Sequence, residues 1–242
     1  MNVCLNPLIV KRCRALAITA LFSLLAACQN LPKAPNAQTE VNWLSSSDVF
    51  VERQQFARQL KAWQYSAKVG LSTPKLNEQA NLIWEFADQA NSVRMFGPLG
   101  VGAIKLQFDE FGVVLSDNKG LLHRGDSAEQ LLTRIVGWPI PIDALSSWMF
   151  VLPAPGATYR YALDKNRKVE RLEQLGWLIE YSDYRDYQGQ LMPRKIVASK
   201  ILSRSTKSST ANKRRATVTV GEKNAAIDKQ IVVKLITKSW TL

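Results

Sequence analysis

The chain has 242 residues, a formal net charge of +12, 46% hydrophobic and 21% charged residues, which is the make-up of a globular protein long enough to bury a substantial core. A single histidine and three cysteines, two of them within the first 13 residues, argue against a metal centre or a cysteine nucleophile. The basic balance is local, since residues 1–27 carry three of the cations and no acid, and Lys200, Arg204, Lys207, Lys213, Arg214 and Arg215 carry six more. A basic groove interleaved with aromatics, as nucleic acid would need, is not visible.

Lys11, Arg12 and Arg14 precede an apolar run from Ala15 to Ala27, too short for a comfortable transmembrane helix and shaped like an export signal. The run ends in Leu25-Ala26-Ala27-Cys28, which resembles the bacterial lipobox and predicts Cys28 as a residue carrying S-diacylglycerol and N-acyl groups after cleavage. Gln29, rather than Asp, follows it; by resemblance to Gram-negative lipoproteins this implies the periplasmic face of the outer membrane. Residues 28–42, with Pro32 and Pro35 and little apolar content, read as a flexible tether, and residues 43–242 as a single domain.

Ser47-Asp48 offers an N-cap before Val49, Phe50, Phe56, Leu60 and Trp63, whose spacing predicts a helix of about four turns. Beyond Ser66 the apolar period changes to two, and consecutive antiparallel strands are predicted around Ala67–Leu71, Leu82–Phe86, Val93–Met95, Ile104–Phe108, Val113–Leu115 and Leu121–His123. Gly97, Pro98, Gly100 and Gly102 mark a stiff turn between two of them, yet its tip carries Leu99. Two readings stay open there: a leucine tucked beneath a loop, or an apolar probe held out on the turn. Ser127, with Gln130 in the capping-box position, starts a helix bearing Leu131, Leu132, Ile135 and Val136 that Gly137 ends. A second helix from about Asp143 carries Leu145, Trp148, Met149 and Leu152 and stops at Pro153. Strands resume at Tyr159–Leu163, Val169–Leu175, Trp177–Tyr184, Leu191–Leu202 and Ile231–Trp240. Ser203–Arg215 reads as a disordered basic loop, and Val218 and Val220 as candidates for a small hairpin.

About ten strands in one meander, with a few short helices, predict a mainly β fold: a curved antiparallel sheet, open or half-closed as a barrel, with helices across its mouth. The large alternating residues Trp84, Phe86, Phe108 and Trp177 suit a packed core or the wall of an apolar ligand cavity. Catalysis finds little support: His123 has no nucleophile in a Gly-x-Ser-x-Gly setting, and no phosphate-binding GxxxxGK[ST] loop is present. No cofactor is expected.

The order of motifs Phe96-Gly97-Pro98-Leu99-Gly100, Leu115-Ser116-Asp117-Asn118-Lys119-Gly120, Gly137-Trp138-Pro139-Ile140-Pro141-Ile142, Leu145-Ser146-Ser147-Trp148 and Leu152-Pro153 with Gly156 resembles the LolB family of outer-membrane lipoprotein receptors. The resemblance implies an unclosed β-barrel of about eleven strands with a helical lid. Its apolar cavity would take the acyl chains of lipoproteins from the periplasmic carrier LolA and release them into the inner leaflet of the outer membrane. It further implies that Gly97, Pro98, Leu99 and Gly100 form a membrane-insertion loop with Leu99 at its tip. The candidate cavity lining is Leu82, Trp84, Phe86, Met95, Ile104, Leu106, Phe108, Leu132, Ile135, Trp148, Met149 and Trp177. A monomer without catalytic or metal sites is expected, and a structural or binding lipoprotein of an envelope assembly, without an acyl cavity, is the alternative. The segment from Ser203 to Gln230 looks longer than the usual family pattern.

Overall fold

Residues 41–97, 102–202 and 230–242 are described by a computed structural model, within a compact unit spanning Val41–Leu242. Period-two sequence becomes eleven strands: β1 (Ala62–Ser72), β2 (Asn77–Ala87), β3 (Ala90–Phe96), β4 (Ile104–Asp109), β5 (Gly112–Ser116), β6 (Leu122–Gly125), β7 (Tyr159–Leu163), β8 (Val169–Gln174), β9 (Trp177–Tyr187), β10 (Gln190–Ile201) and β11 (Gln230–Thr241). They form one antiparallel sheet in the order β6-β5-β4-β3-β2-β1-β11-β10-β9-β8-β7. Every neighbour is a sequence neighbour except β1 and β11, which join the two ends of the chain in register from Gln64↔Thr241 to Ser72↔Val232. The sheet therefore folds back on itself but does not close, because β6 and β7 end it on opposite sides.

Alternation sets which face is buried. In β1, Tyr65, Ala67, Val69 and Leu71 are buried while Lys68 is exposed. Leu82 and Trp84, Val93 and Met95, Ile104 and Leu106, and Val113 and Leu115 continue that face across β2 to β5. From the other side Leu172, Trp177, Ile179, Ile196, Val233 and Leu235 complete the concave lining. Each such side chain contributes about 1.5–3 kcal/mol when taken fully from water.

The segment that links the two sheet edges covers this face. Ser127 caps α2 (Ala128–Leu131), its Oγ accepting from the Gln130 N–H at 3.3 Å. The helix continues as a wider π-type turn, Leu132–Val136, and stops at Gly137, whose φ of +80° only glycine adopts without strain. After Trp138-Pro139-Ile140-Pro141, α3 (Ile142–Met149) turns back across the sheet with Leu145, Trp148 and Met149 buried. Its exit runs through Phe150, which packs 5.3 Å from Trp63 and 4.8 Å from Trp240 between ring centroids.

The N-terminal helix is shorter than the four turns expected. A 3-10 turn, Asp48–Phe50, leads into α1 (Val51–Gln59), and Leu60 is already extended at ψ 116°. Ser47 makes no side-chain cap. Trp63 belongs to β1, where its indole meets Trp84, Phe86, Phe150 and Trp240; burial among four aromatic rings outweighs the helical spacing. Phe50 packs edge-on against Tyr159 and Tyr161, and Arg53 of α1 donates to the Leu191 carbonyl at 3.1 Å, so α1 lies over β7 and β10. Just upstream, Leu44 exchanges backbone hydrogen bonds of 2.7 and 2.8 Å with Tyr161, which covers part of the β7 edge that would otherwise be open to strand addition. Cys28, residues 29–40 of the tether, Pro98, Leu99, Gly100, the Ser203–Arg215 loop and the Val218/Val220 hairpin lie outside the described residues.

Candidate functional site

The strand register gives the half-barrel two rims. One carries the β1–β2, β5–β6 and β8–β9 turns, together with Phe96 and Gly97 leaving β3, Leu202 leaving β10 and Gln230 entering β11. The other holds the aromatic cluster of Trp63, Phe86, Phe150 and Trp240. Between the rims the concave face is apolar and the lid lies on it.

Eleven of the twelve candidate lining residues belong to, or pack against, one contiguous cluster. Leu82, Trp84, Met95, Ile104, Leu106, Leu132, Trp148, Met149 and Trp177 are buried, and Phe108 and Ile135 are half-buried against them. Phe86 is half-buried at the edge, stacked 5.9 Å from Trp63. The lid therefore presses its own Leu132, Trp148 and Met149 onto the wall that Leu82, Trp84 and Leu106 provide. Of the predicted insertion loop, Gly97 is described, at the end of β3.

Most polar groups inside this apolar region are tied off, the buried Tyr181 hydroxyl, which has no hydrogen-bond partner among the described residues, being an exception. Gln174 of β8, 3% exposed, uses its whole amide. Its Oε1 accepts from Trp148 Nε1 at 3.0 Å and from the Ala154 N–H at 2.7 Å, and its Nε2 donates to the carbonyls of Ala154 and Ala157 at 2.8 and 3.1 Å. This clasp fixes the exit of the lid to the sheet. At the opposite end of the lid Trp138 Nε1 donates to Glu78 Oε2 at 2.9 Å, beside the β1–β2 turn. Tyr65, fully buried, shares a 3.1 Å hydrogen bond with Thr237, whose hydroxyl reaches the Pro193 carbonyl. Burial pushes the Tyr65 phenol well above its ordinary range, so it stays neutral. Sequence reading missed Gln174 and Glu78; the available signal was that buried indoles need acceptors.

At the turn rim the lid leaves an apolar groove of about 450 Å³ between Pro74, Leu76, Val136, Pro139, Leu202 and Ile231. Val136 also lines a smaller hollow of about 220 Å³ with Ala80, Met95, Phe96, Ile104 and Trp138. Larger clefts of about 660 and 750 Å³ lie around Asp109, Phe111 and Arg124 and around Arg160, Glu173 and Ile201. Charged side chains line both, which suits them less to an alkyl chain.

An eleven-stranded antiparallel sheet left open on one side, lined with apolar side chains and covered by two short helices, defines an unclosed half-barrel with a helical lid packed onto its concave face. The family model described as outer membrane lipoprotein LolB matches residues 61–240. The outer-membrane lipoprotein LolB of Pseudomonas paraeruginosa is 30% identical over 185 residues, 76% of this chain and 88% of that protein. That of Chromohalobacter salexigens is 32% identical over 178 residues, 73% of this chain and 79% of its own length. A lipoprotein-sorting domain from Vibrio parahaemolyticus aligns with a TM-score of 0.49 at 10% identity over 80% of this chain and 90% of its own, a likeness too slight to bear on function. The chain belongs to the LolB family: it is an outer-membrane lipoprotein of the lipoprotein-localisation class.

Proposed function

We propose that the protein accepts acylated lipoproteins from the carrier LolA, holds their acyl chains beneath the lid, and passes them to the inner leaflet of the outer membrane. The observation that carries this reading is the lid's attachment. It joins β6 to β7, the two strands that end the sheet, so it can lift without breaking a strand pair. Lifting it would bare Leu82, Trp84, Leu106 and Trp177 along the interior, with Leu132, Ile135, Trp148 and Met149 on the moving side. Phe86, Met95, Ile104 and Phe108 complete the path. Each methylene buried is worth about 0.8 kcal/mol, so an acyl chain carries on the order of ten, and free release into water is excluded. No nucleotide is needed, because cargo moves toward the site that binds it better.

In the same reading Cys28 carries the lipid anchor, residues 28–42 are the tether, and Gly97, Pro98, Leu99 and Gly100 form the loop that enters the bilayer. A second reading, a structural lipoprotein with a solid core, is favoured by the close packing of the lid onto the wall. A transfer experiment separates the two: the Cys28→Ala form is mixed with carrier loaded with an acylated lipoprotein bearing a photoreactive alkyl group. Receptor function requires cargo to leave the carrier and crosslink to lid and wall residues; cargo that stays on the carrier would leave the solid-core reading.

A further inference from the structure

The turn rim carries an apolar projection in the β5–β6 turn. In the β5–β6 turn Leu121 and Leu122 are 57% and 64% exposed, beside exposed Lys119. The turn is rigid: Asp117 Oδ1 accepts the N–H groups of Lys119 and Leu121 at 2.9 Å each, Asp117 Oδ2 meets His123 Nε2 at 2.9 Å, and Gly120 has φ +79°. Exposed leucines on a braced turn are not awaiting a core of their own.

The charges of this half of the sheet are sorted by rim. Toward the turn rim lie exposed Lys75, Arg94, Lys105 and Lys119. Arg94 and Lys105 sit directly opposite each other on β3 and β4, an arrangement that opposes folding; no ion pair offsets it among the described residues. Two acids stand on this side against the four cations, Glu78, hydrogen-bonded to Trp138, and Asp117, hydrogen-bonded to His123. At the opposite ends of the same strands stand Asp88, Asp109, Glu110 and Asp126, with Lys61 and Arg124 among them.

We propose that the turn rim docks flat on an anionic phospholipid surface, with Leu121 and Leu122 entering the interface and Arg94, Lys105, Lys119 and Lys75 meeting headgroup phosphates. The polarity of charge then orients the half-barrel, acid ends away, so that the groove between the lid and the β1–β2 turn opens onto the bilayer. This rests on the reading that cargo is delivered into the membrane, and it names the lipid class and the contact residues.

The test uses the full lipidated chain reconstituted on vesicles of phosphatidylethanolamine with or without about a quarter phosphatidylglycerol. An environment-sensitive fluorophore is attached at Leu122→Cys, and in a control chain at Phe111→Cys, which is 89% exposed on the far rim. The expected result is a blue shift and quenching by brominated acyl chains at Leu122→Cys on anionic vesicles alone, reversed by salt, with no change at Phe111→Cys. Neutralising Arg94 and Lys105 to Gln lowers the ratio of docked to undocked protein about thirtyfold, roughly fivefold for each charge. If that double variant melts early, the salt titration of the unaltered rim answers the same question. A Leu122→Cys signal indifferent to phosphatidylglycerol overturns the proposal, as does one that appears only when the carrier protein is added. No cargo is present, so failure here leaves cargo acceptance standing, and failed acceptance leaves docking standing.

Discussion

Replacing Gln174 with Leu removes the clasp on the lid while keeping side-chain bulk. Gln174 is 3% exposed and makes four hydrogen bonds. Truncating its amide strands the Trp148 indole N–H and the Ala154 N–H in a dry site, at about 1–3 kcal/mol for each orphaned donor. The abandoned carbonyls of Ala154 and Ala157 cost less, because the second of these groups lies in a half-buried loop. Some of the loss is recovered as water reaches the released lid, and the net effect is about 3 kcal/mol. For a domain of this size that lowers Tm by about 6–12 °C. The lid is tied to the sheet here and at Trp138–Glu78, whereas β1 and β11 are paired along their length, so the damage is local. Amide exchange over α3, Ile142–Met149, should accelerate by about two orders of magnitude, and amides of β1 and β11 that exchange through global unfolding should accelerate by no more than this. In the proposed function the same variant binds an alkyl probe faster. Unchanged exchange over α3, or a Tm within a degree of the parent, would refute the argument.

Gly137→Ala forces a Cβ onto a residue with φ +80°, where no neighbour lies within contact distance, so the cost is backbone strain of about 1 kcal/mol; thermal melting should fall by roughly 2–4 °C. The hydrogen bond from His123, followed by those from Leu121 and Lys119, holds the Asp117 carboxyl below its ordinary range. A depressed carboxylate stabilises above its unfolded value and loses that contribution as pH falls through the folded one. The parent should therefore lose order in the β5–β6 turn only in acid below about pH 4, and Asp117→Asn should abolish this step in an NMR titration of Lys119 and Leu121. Leu99→Glu should leave melting and cargo acceptance unchanged while incorporation into outer-membrane vesicles drops sharply, because a charge at the tip must be desolvated to enter lipid; reduced thermal stability would instead mean that Leu99 is buried.

Local chemistry was readable in most periodic or capped stretches, the Ser47 cap, which is not made, being an exception. The alternation in Leu82, Trp84 and Phe86 and in Ile104, Leu106 and Phe108 gave strands because one face of a sheet must be apolar. Ser127 with Gln130 and Gly137 bounded the first lid helix because each satisfies or terminates a backbone requirement of its own turn. Trp63 failed the same treatment: its spacing from Phe56 and Leu60 fits a helix, and its spacing from Tyr65 and Ala67 fits a strand. Contacts with Phe150 and Trp240, 87 and 177 residues away in sequence, chose the strand.

By itself, then, the sequence determined the class of fold, the two lid helices and the family motifs, since these depend on neighbours within a few residues. The tertiary structure decided the rest. It paired β1 with β11 and left β6 and β7 apart, packed the lid into the interior, buried the polar Gln174 by supplying four partners from the lid and its exit loop, and gathered Lys75, Arg94, Lys105 and Lys119 toward one rim. Each of these joins groups distant along the chain, and their free energies exist only once the sheet has curved and brought them together.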